Sequence, residues 1–179
     1  MGQIQNAQTT TGVNVIPTQY SIYDGTALPG MRITGATASL DATNVRFGAA
    51  SLKLTATATT VTVELGTTGY PATLHPDWKW IGSVYLLSSR TTIAGTMQVV
   101  TPLSSPSADI AGTISGWVRL YGDYDLTADA STQATMLLTL TGVTVGDTFN
   151  LEAWQLEPVQ GTTTLPSPYI ITSPPRTWA

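Results

Sequence analysis

Cysteine is absent from this 179-residue chain, which removes disulfides, thiolate metal sites and cysteine nucleophiles from consideration. Charge is scarce too: only 10% of residues are Asp, Glu, Lys or Arg, against roughly 25% in an average soluble domain. The seven basic residues (Arg32, Arg46, Lys53, Lys79, Arg90, Arg119, Arg176) are scattered, and the net charge is −4. Nucleic acid is therefore excluded as an expected partner, because phosphate binding needs clustered Lys and Arg. No apolar run approaches the roughly 20 residues that span a bilayer. The first residues, Met1-Gly2-Gln3-Ile4-Gln5-Asn6, have neither a basic nor an apolar segment of signal-peptide type. The expectation is a protein made in the cytoplasm, without a membrane and without general secretion.

What the sequence does have is threonine, at 33 positions, together with 16 Gly and 11 Pro. Threonine is stiff at its β-carbon and suits a pleated surface, so the composition predicts an all-β chain. The low charge also predicts a surface partly covered by neighbours, since free surfaces rely on mixed charges to resist association.

Residues 1–20 are rich in Gln, Asn and Thr and too poor in large apolar groups to order alone. They read as an N-terminal arm that orders against a partner. Turn signals at Tyr23-Asp24-Gly25 and Leu28-Pro29-Gly30 precede a short strand at Met31-Arg32-Ile33. Leu52, Leu54 and Ala56 alternate with polar residues, and so do Val61, Val63 and Leu65, which is the period of half-buried strands. Residues 80–87 are apolar on both faces and read as a strand buried on both sides. Strands at 97–100, 116–121, 136–141 and 149–156 complete about eight, with no run of helical spacing. An antiparallel sandwich follows, with immunoglobulin and jelly-roll topologies both open.

The final strand has one internal signal. Phe149, Leu151 and Ala153 share one face, whereas Trp154 and Leu156 fall on the other. A switch of apolar phase predicts a β-bulge near Ala153, and it would let Trp154 pack under residues 158–172. Five prolines lie between Pro158 and Ala179, so that segment should run extended across the sandwich.

Four stretches carry a family resemblance. Phe47-Gly48-Ala49-Ala50-Ser51-Leu52-Lys53-Leu54, Trp80-Ile81-Gly82-Ser83-Val84-Tyr85-Leu86 and Gly116-Trp117-Val118-Arg119-Leu120-Tyr121-Gly122-Asp123-Tyr124 resemble strands of carbohydrate-binding-module jelly rolls, in that order. The ending, Gly146-Asp147-Thr148-Phe149-Asn150-Leu151-Glu152-Ala153-Trp154-Gln155-Leu156-Glu157 and then Pro166-Ser167-Pro168-Tyr169-Ile170-Ile171-Thr172, resembles the close of such domains in tailed-bacteriophage virion proteins. The resemblance covers about residues 21–172. It implies an antiparallel two-sheet jelly-roll sandwich at residues 21–157, with the arm before it and the proline-rich segment 158–179 packed on it.

The resemblance also implies a function. The reading is a non-enzymatic virion protein of the phage particle, a capsid decoration protein attached to the major capsid protein through residues 1–20. A closed homo-oligomer is expected, with a trimer preferred. The alternative is a carbohydrate-binding module or tail-fibre domain that recognises a host surface glycan. A glycan site needs aromatic faces and orienting polar groups, and Trp117, Arg119, Tyr121 and Tyr124 are the candidates, with Tyr85, Trp78 and Tyr70 as further aromatics. No cofactor is required. Asp24 and Glu152 are the acids that a structural Ca²⁺ of the family would use, although Ala153 stands where the family pattern has a second acid. Asp123, Asp125 and Asp129 are a further carboxylate group without EF-hand spacing. The only histidine, His75, has no nucleophile motif beside it.

Overall fold

In the computed structural model the described residues are 16, 23, 31–65, 72–73, 79–125, 133–159 and 165–169. They form β1 (Met31–Thr34), β2 (Ala36–Asp41), β3 (Ser51–Ala56), β4 (Thr60–Leu65), β5 (Ala72–Thr73), β6 (Lys79–Ser88), β7 (Thr92–Val100), β8 (Ser107–Thr113), β9 (Val118–Asp125), β10 (Gln133–Thr141) and β11 (Thr148–Val159). Two antiparallel sheets result. One runs β1-β4-β10-β7-β8, with short β5 also on β10, and the other runs β2-β3-β11-β6-β9. This is the jelly-roll sandwich that the family resemblance implies.

The period-2 pattern supplies the core. Val61, Val63 and Leu65 of β4 and Leu138 and Leu140 of β10 face Leu52, Leu54, Val84, Leu86, Phe149 and Leu151 of the other sheet. Each large side chain buried this way contributes roughly 1.5–3 kcal/mol, and the register is fixed because a one-residue slip would expose the whole set.

The chain changes sheets between β1 and β2 at Gly35, whose φ is 74°. A side chain there would meet the Thr60 carbonyl oxygen at 2.0 Å. The Gly35 carbonyl meanwhile accepts from the amides of Thr57 and Ala58 at 2.8 and 3.2 Å, which ties down the turn between β3 and β4. Only glycine fits a left-handed corner approached this closely by backbone.

The bulge lies where the apolar phase switches. Pairing between β11 and β6 shifts register between Glu152 and Gln155, and Ala153 takes φ 57°. The extra residue returns Trp154 and Leu156 to the inner face beside Phe149 and Leu151. Trp154 is thus buried between the sheets, on the face opposite the one that residues 165–169 cross. The side chains that leave by the outer face are Gln155 and Glu157.

Two other expectations need adjustment. Ile16, within the stretch read as a partner-seeking arm, is 1% exposed and belongs to this chain's own core; the rest of residues 1–20 lies outside the described residues. Strands β2 and β8 were not expected. Their sequences, ATASLD and SADIAGT, have mostly small side chains, and their pairing with β3 and β7 replaces the missing local signal.

Candidate functional site

The outer face of the β2-β3-β11-β6-β9 sheet carries most of the polar and aromatic chemistry. On β9, Leu120, Gly122 and Tyr124 alternate inward while Arg119, Tyr121 and Asp123 alternate outward. On β6, Gly82 faces the core, since a side chain there would touch Met136 and Leu156. Ser83 and Tyr85 therefore belong to opposite positions from Gly82, on the outer side. Register then aligns Arg119 with Tyr85 and Glu152, and Tyr121 with Ser83 and Gln155.

Glu152 is fully buried and holds the loop that crosses above it. Its two carboxylate oxygens accept the backbone amides of Arg46 and Phe47 at 2.7 and 2.8 Å. A carboxylate placed under two consecutive N–H groups fixes a turn firmly, because charged hydrogen bonds are stronger than neutral ones. The turn delivers both side chains onto Tyr85. The Arg46 guanidinium stands 4.3 Å from the Tyr85 ring centre, and the Phe47 ring meets Tyr85 edge-on at 5.4 Å. Tyr169 tilts against Phe47 at 4.8 Å.

Arg119 approaches the same ring from β9, at 5.3 Å. Its Nε and Nη2 donate to Ser83 Oγ at 3.2 and 2.9 Å, and its Nη1 donates to the carbonyl of Ser167. Burial pulls the Arg119 guanidinium below its ordinary pKa, while Tyr85 and Glu157 push it back up. Next to it along the outer face of β9, Tyr121 is 40% exposed. The result is one aromatic ring flanked by two guanidinium groups, with an open tyrosine beside it. Cation–π contacts of this kind are worth about 0.5–2 kcal/mol each and hold the rings in fixed orientations.

Residues 165–169 cross this face. The Ser167 amide and hydroxyl donate to the two oxygens of Glu157 at 2.7 and 2.6 Å. Gln155 Nε2 donates to the same hydroxyl at 3.0 Å. Glu157 and Gln155 are both fully buried.

The site residues predicted from sequence divide accordingly. Arg119 and Tyr121 share the outer face, and Trp117 is half-buried in the bend immediately before β9. Tyr124 must be corrected: it is 1% exposed and turns into the core, because three residues from Tyr121 is an odd step along a strand. Room for its ring comes from the cross-strand pair Gly82 and Gly122, where added side chains would lie 3.3 and 2.8 Å from Tyr124 atoms. Glu152 anchors a loop in the observed arrangement, with a backbone amide on each carboxylate oxygen. Asp24, Asp129, His75, Trp78 and Tyr70 lie outside the described residues. Asp123 pairs with Lys79 Nζ at 2.5 Å, and among the described residues no three His, Cys, Asp or Glu side chains gather as a metal site. Sequence reasoning missed Arg46, Gln155, Glu157, Ser167 and Tyr169. The bulge was the available signal for Gln155 and Glu157, since one extra residue after Glu152 sends both outward.

No protein-family model matches the sequence, and no curated protein matches it either. Solved structures do match in fold, carbohydrate-binding modules among them. The CBM22-1 xylan-binding domain of Paenibacillus barcinonensis Xyn10C superposes with a TM-score of 0.60 at 16% identity, over 85% of this chain and 98% of that one. TmCBM61, solved in complex with β-1,4-galactotriose, gives a TM-score of 0.56 at 9% identity over 81% of this chain and 98% of that one. An exo-β-agarase gives 0.64 at 10% identity, over 79% of this chain but 25% of the agarase. At these identities the likeness establishes the jelly-roll fold and nothing finer.

Proposed function

We propose that this chain is a non-catalytic carbohydrate-binding domain whose glycan contacts the outer face of the β2-β3-β11-β6-β9 sheet. The observation that carries the reading is the convergence of Arg46, Tyr85 and Arg119 next to exposed Tyr121. Sugar rings present an apolar C–H face and a rim of hydroxyls. An aromatic face flanked by fixed donors meets both. The neighbours include a xylan-binding domain and a complex with β-1,4-galactotriose, so neutral β-linked saccharides are the first class to test.

In this reading Tyr121 supplies the stacking surface and Arg119 donates to ring or hydroxyl oxygens. Arg46 and Tyr85 form the adjoining wall, and Trp117 borders it. The low charge that suggested a covered virion surface suits a domain presenting neutral hydrogen-bonding groups as well. The fold neighbours lend no support to capsid decoration. The deciding experiment is titration of the chain with soluble xylan and β-1,4-galactan, followed by tryptophan fluorescence or calorimetry, with Tyr121→Ala alongside. Saturable binding that Tyr121→Ala abolishes supports the proposal. Silence across polysaccharides together with binding to empty phage capsids would return the protein to the virion reading.

A further inference from the structure

The most fully satisfied binding geometry on the outer face is occupied by the chain itself. Ser167 engages three side chains on two strands that flank β6: Glu157 and Gln155 of β11, and Arg119 of β9. Its N–H and O–H reach separate oxygens of one carboxylate, its hydroxyl accepts from an amide, and its carbonyl accepts from a guanidinium. Two donors side by side on one carboxylate reproduce what a vicinal pair of sugar hydroxyls offers, and the carbonyl stands where a further sugar oxygen would. An aromatic ring, Tyr169, follows two residues later and lies on Phe47, as a neighbouring sugar ring would.

The flanking residues suit this role. Pro166 and Pro168 have fixed φ and no N–H, so Ser167 is the only backbone donor between them and is presented on a stiff, extended piece of chain. Such a strap loses little entropy on docking and competes well with a ligand. Its seat is lined by Glu157, Gln155 and Ser83, all fully buried, with buried Ile81 opposite Glu157 in the register, so removing the strap would open a recess in which polar groups predominate.

We infer that residues 165–169 act as a built-in occupant of a sugar subsite, formed by Glu157, Gln155 and Arg119, that takes a neutral glycan residue with two adjacent free hydroxyls when the strap lifts. This rests on the glycan-binding reading above. A ligand that must displace the strap binds with an apparent affinity reduced by the fraction of chains in which the seat is open. Loosening the strap should therefore tighten binding, whereas removing the seat's own acceptor should weaken it.

The test uses the full chain with soluble xylan and β-1,4-galactan as probes, by calorimetry, on wild type, Ser167→Ala and Glu157→Gln. Thermal melts confirm that each variant is folded. Ser167→Ala removes the hydroxyl and with it the bonds to Glu157 and Gln155, and about a tenfold gain in affinity is expected, or binding where wild type shows none; Glu157→Gln should lose affinity although it loosens the same strap. A synthetic Leu-Pro-Ser-Pro-Tyr peptide added in excess should compete with the polysaccharide on Ser167→Ala. If wild type binds and Tyr121→Ala abolishes it, yet Ser167→Ala leaves affinity unchanged or lowers it, the strap is a structural brace and the inference is wrong while the glycan reading stands. If none of the variants binds either polysaccharide, both fail together.

Discussion

Ser167 donates its backbone N–H and its hydroxyl to different oxygens of the Glu157 carboxylate, at 2.7 and 2.6 Å. The two residues are ten positions apart, and the contact fastens the segment after β11 onto the strand it has just left. Glu157 is buried there, and Ser167 supplies one donor to each of its carboxylate oxygens. Glu157→Gln should cost about 1–3 kcal/mol, the usual loss for a buried hydrogen bond to a charged group. Urea denaturation measures this directly, and an unchanged midpoint would mean that the segment is only loosely attached.

Glu152 performs the corresponding task for the loop between β2 and β3. Glu152→Ala leaves the amides of Arg46 and Phe47 without their acceptor and should cost about 2–4 kcal/mol, since two charge-assisted bonds are lost at a fully buried site. It should also lower glycan affinity, because Arg46 and Phe47 would no longer be held over Tyr85. Parallel measurement of stability and polysaccharide binding tests both consequences. Retained binding in a destabilised variant would detach the loop from the site.

Two aspartates predict an acid limit to stability. Hydrogen bonds from Asn44, Thr43 and Asn150 hold Asp41 below its ordinary pKa of 3.8. The Thr144 amide and Arg90 do the same for Asp147. A carboxyl depressed on folding adds stability that is fully present above its unfolded pKa and is lost as pH falls through the folded one. The urea midpoint should therefore hold steady above about pH 5 and drop as pH goes below about 4, and Asp147→Asn should flatten part of that drop. A midpoint that stays level down to pH 2 would contradict the assignment.

The facing glycines behind Tyr124 predict an order of effects. A β-carbon on Gly122 would lie 2.5 Å from Ala108 Cβ, whereas one on Gly82 meets the end of Met136, a flexible side chain, at 2.9 Å. Gly122→Ala should destabilise by about 1–3 kcal/mol, as overpacking does, and Gly82→Ala by less. Equal effects would mean that the space behind the Tyr124 ring is not confined as described.

The fold was legible from sequence wherever apolar residues alternate strongly, as in β3, β4 and β10, and where they run continuously, as in β6. The bulge was legible too, because Phe149-x-Leu151 and Trp154-x-Leu156 cannot share a face without an extra residue between them. Its consequence was misread: the shift returns Trp154 to the core and sends Gln155 and Glu157 outward. Strands β2 and β8 left little signal, since small residues bury too little surface to mark a period. In the site, the odd spacing from Tyr121 to Tyr124 already separated those two rings. The pairing of Glu152 with residues 46–47 was beyond reach, because nothing local marks a contact across more than a hundred residues.

Titration of the intact protein with soluble xylan and β-1,4-galactan, comparing wild type with Tyr121→Ala, bears most directly on the proposed function. Tyr121 is exposed and outside the core, so its replacement should leave the melting temperature nearly unchanged while saturable binding disappears. Binding that survives Tyr121→Ala undiminished would contradict the placement of the glycan on this face, and no binding by either form or by Ser167→Ala would contradict the function itself.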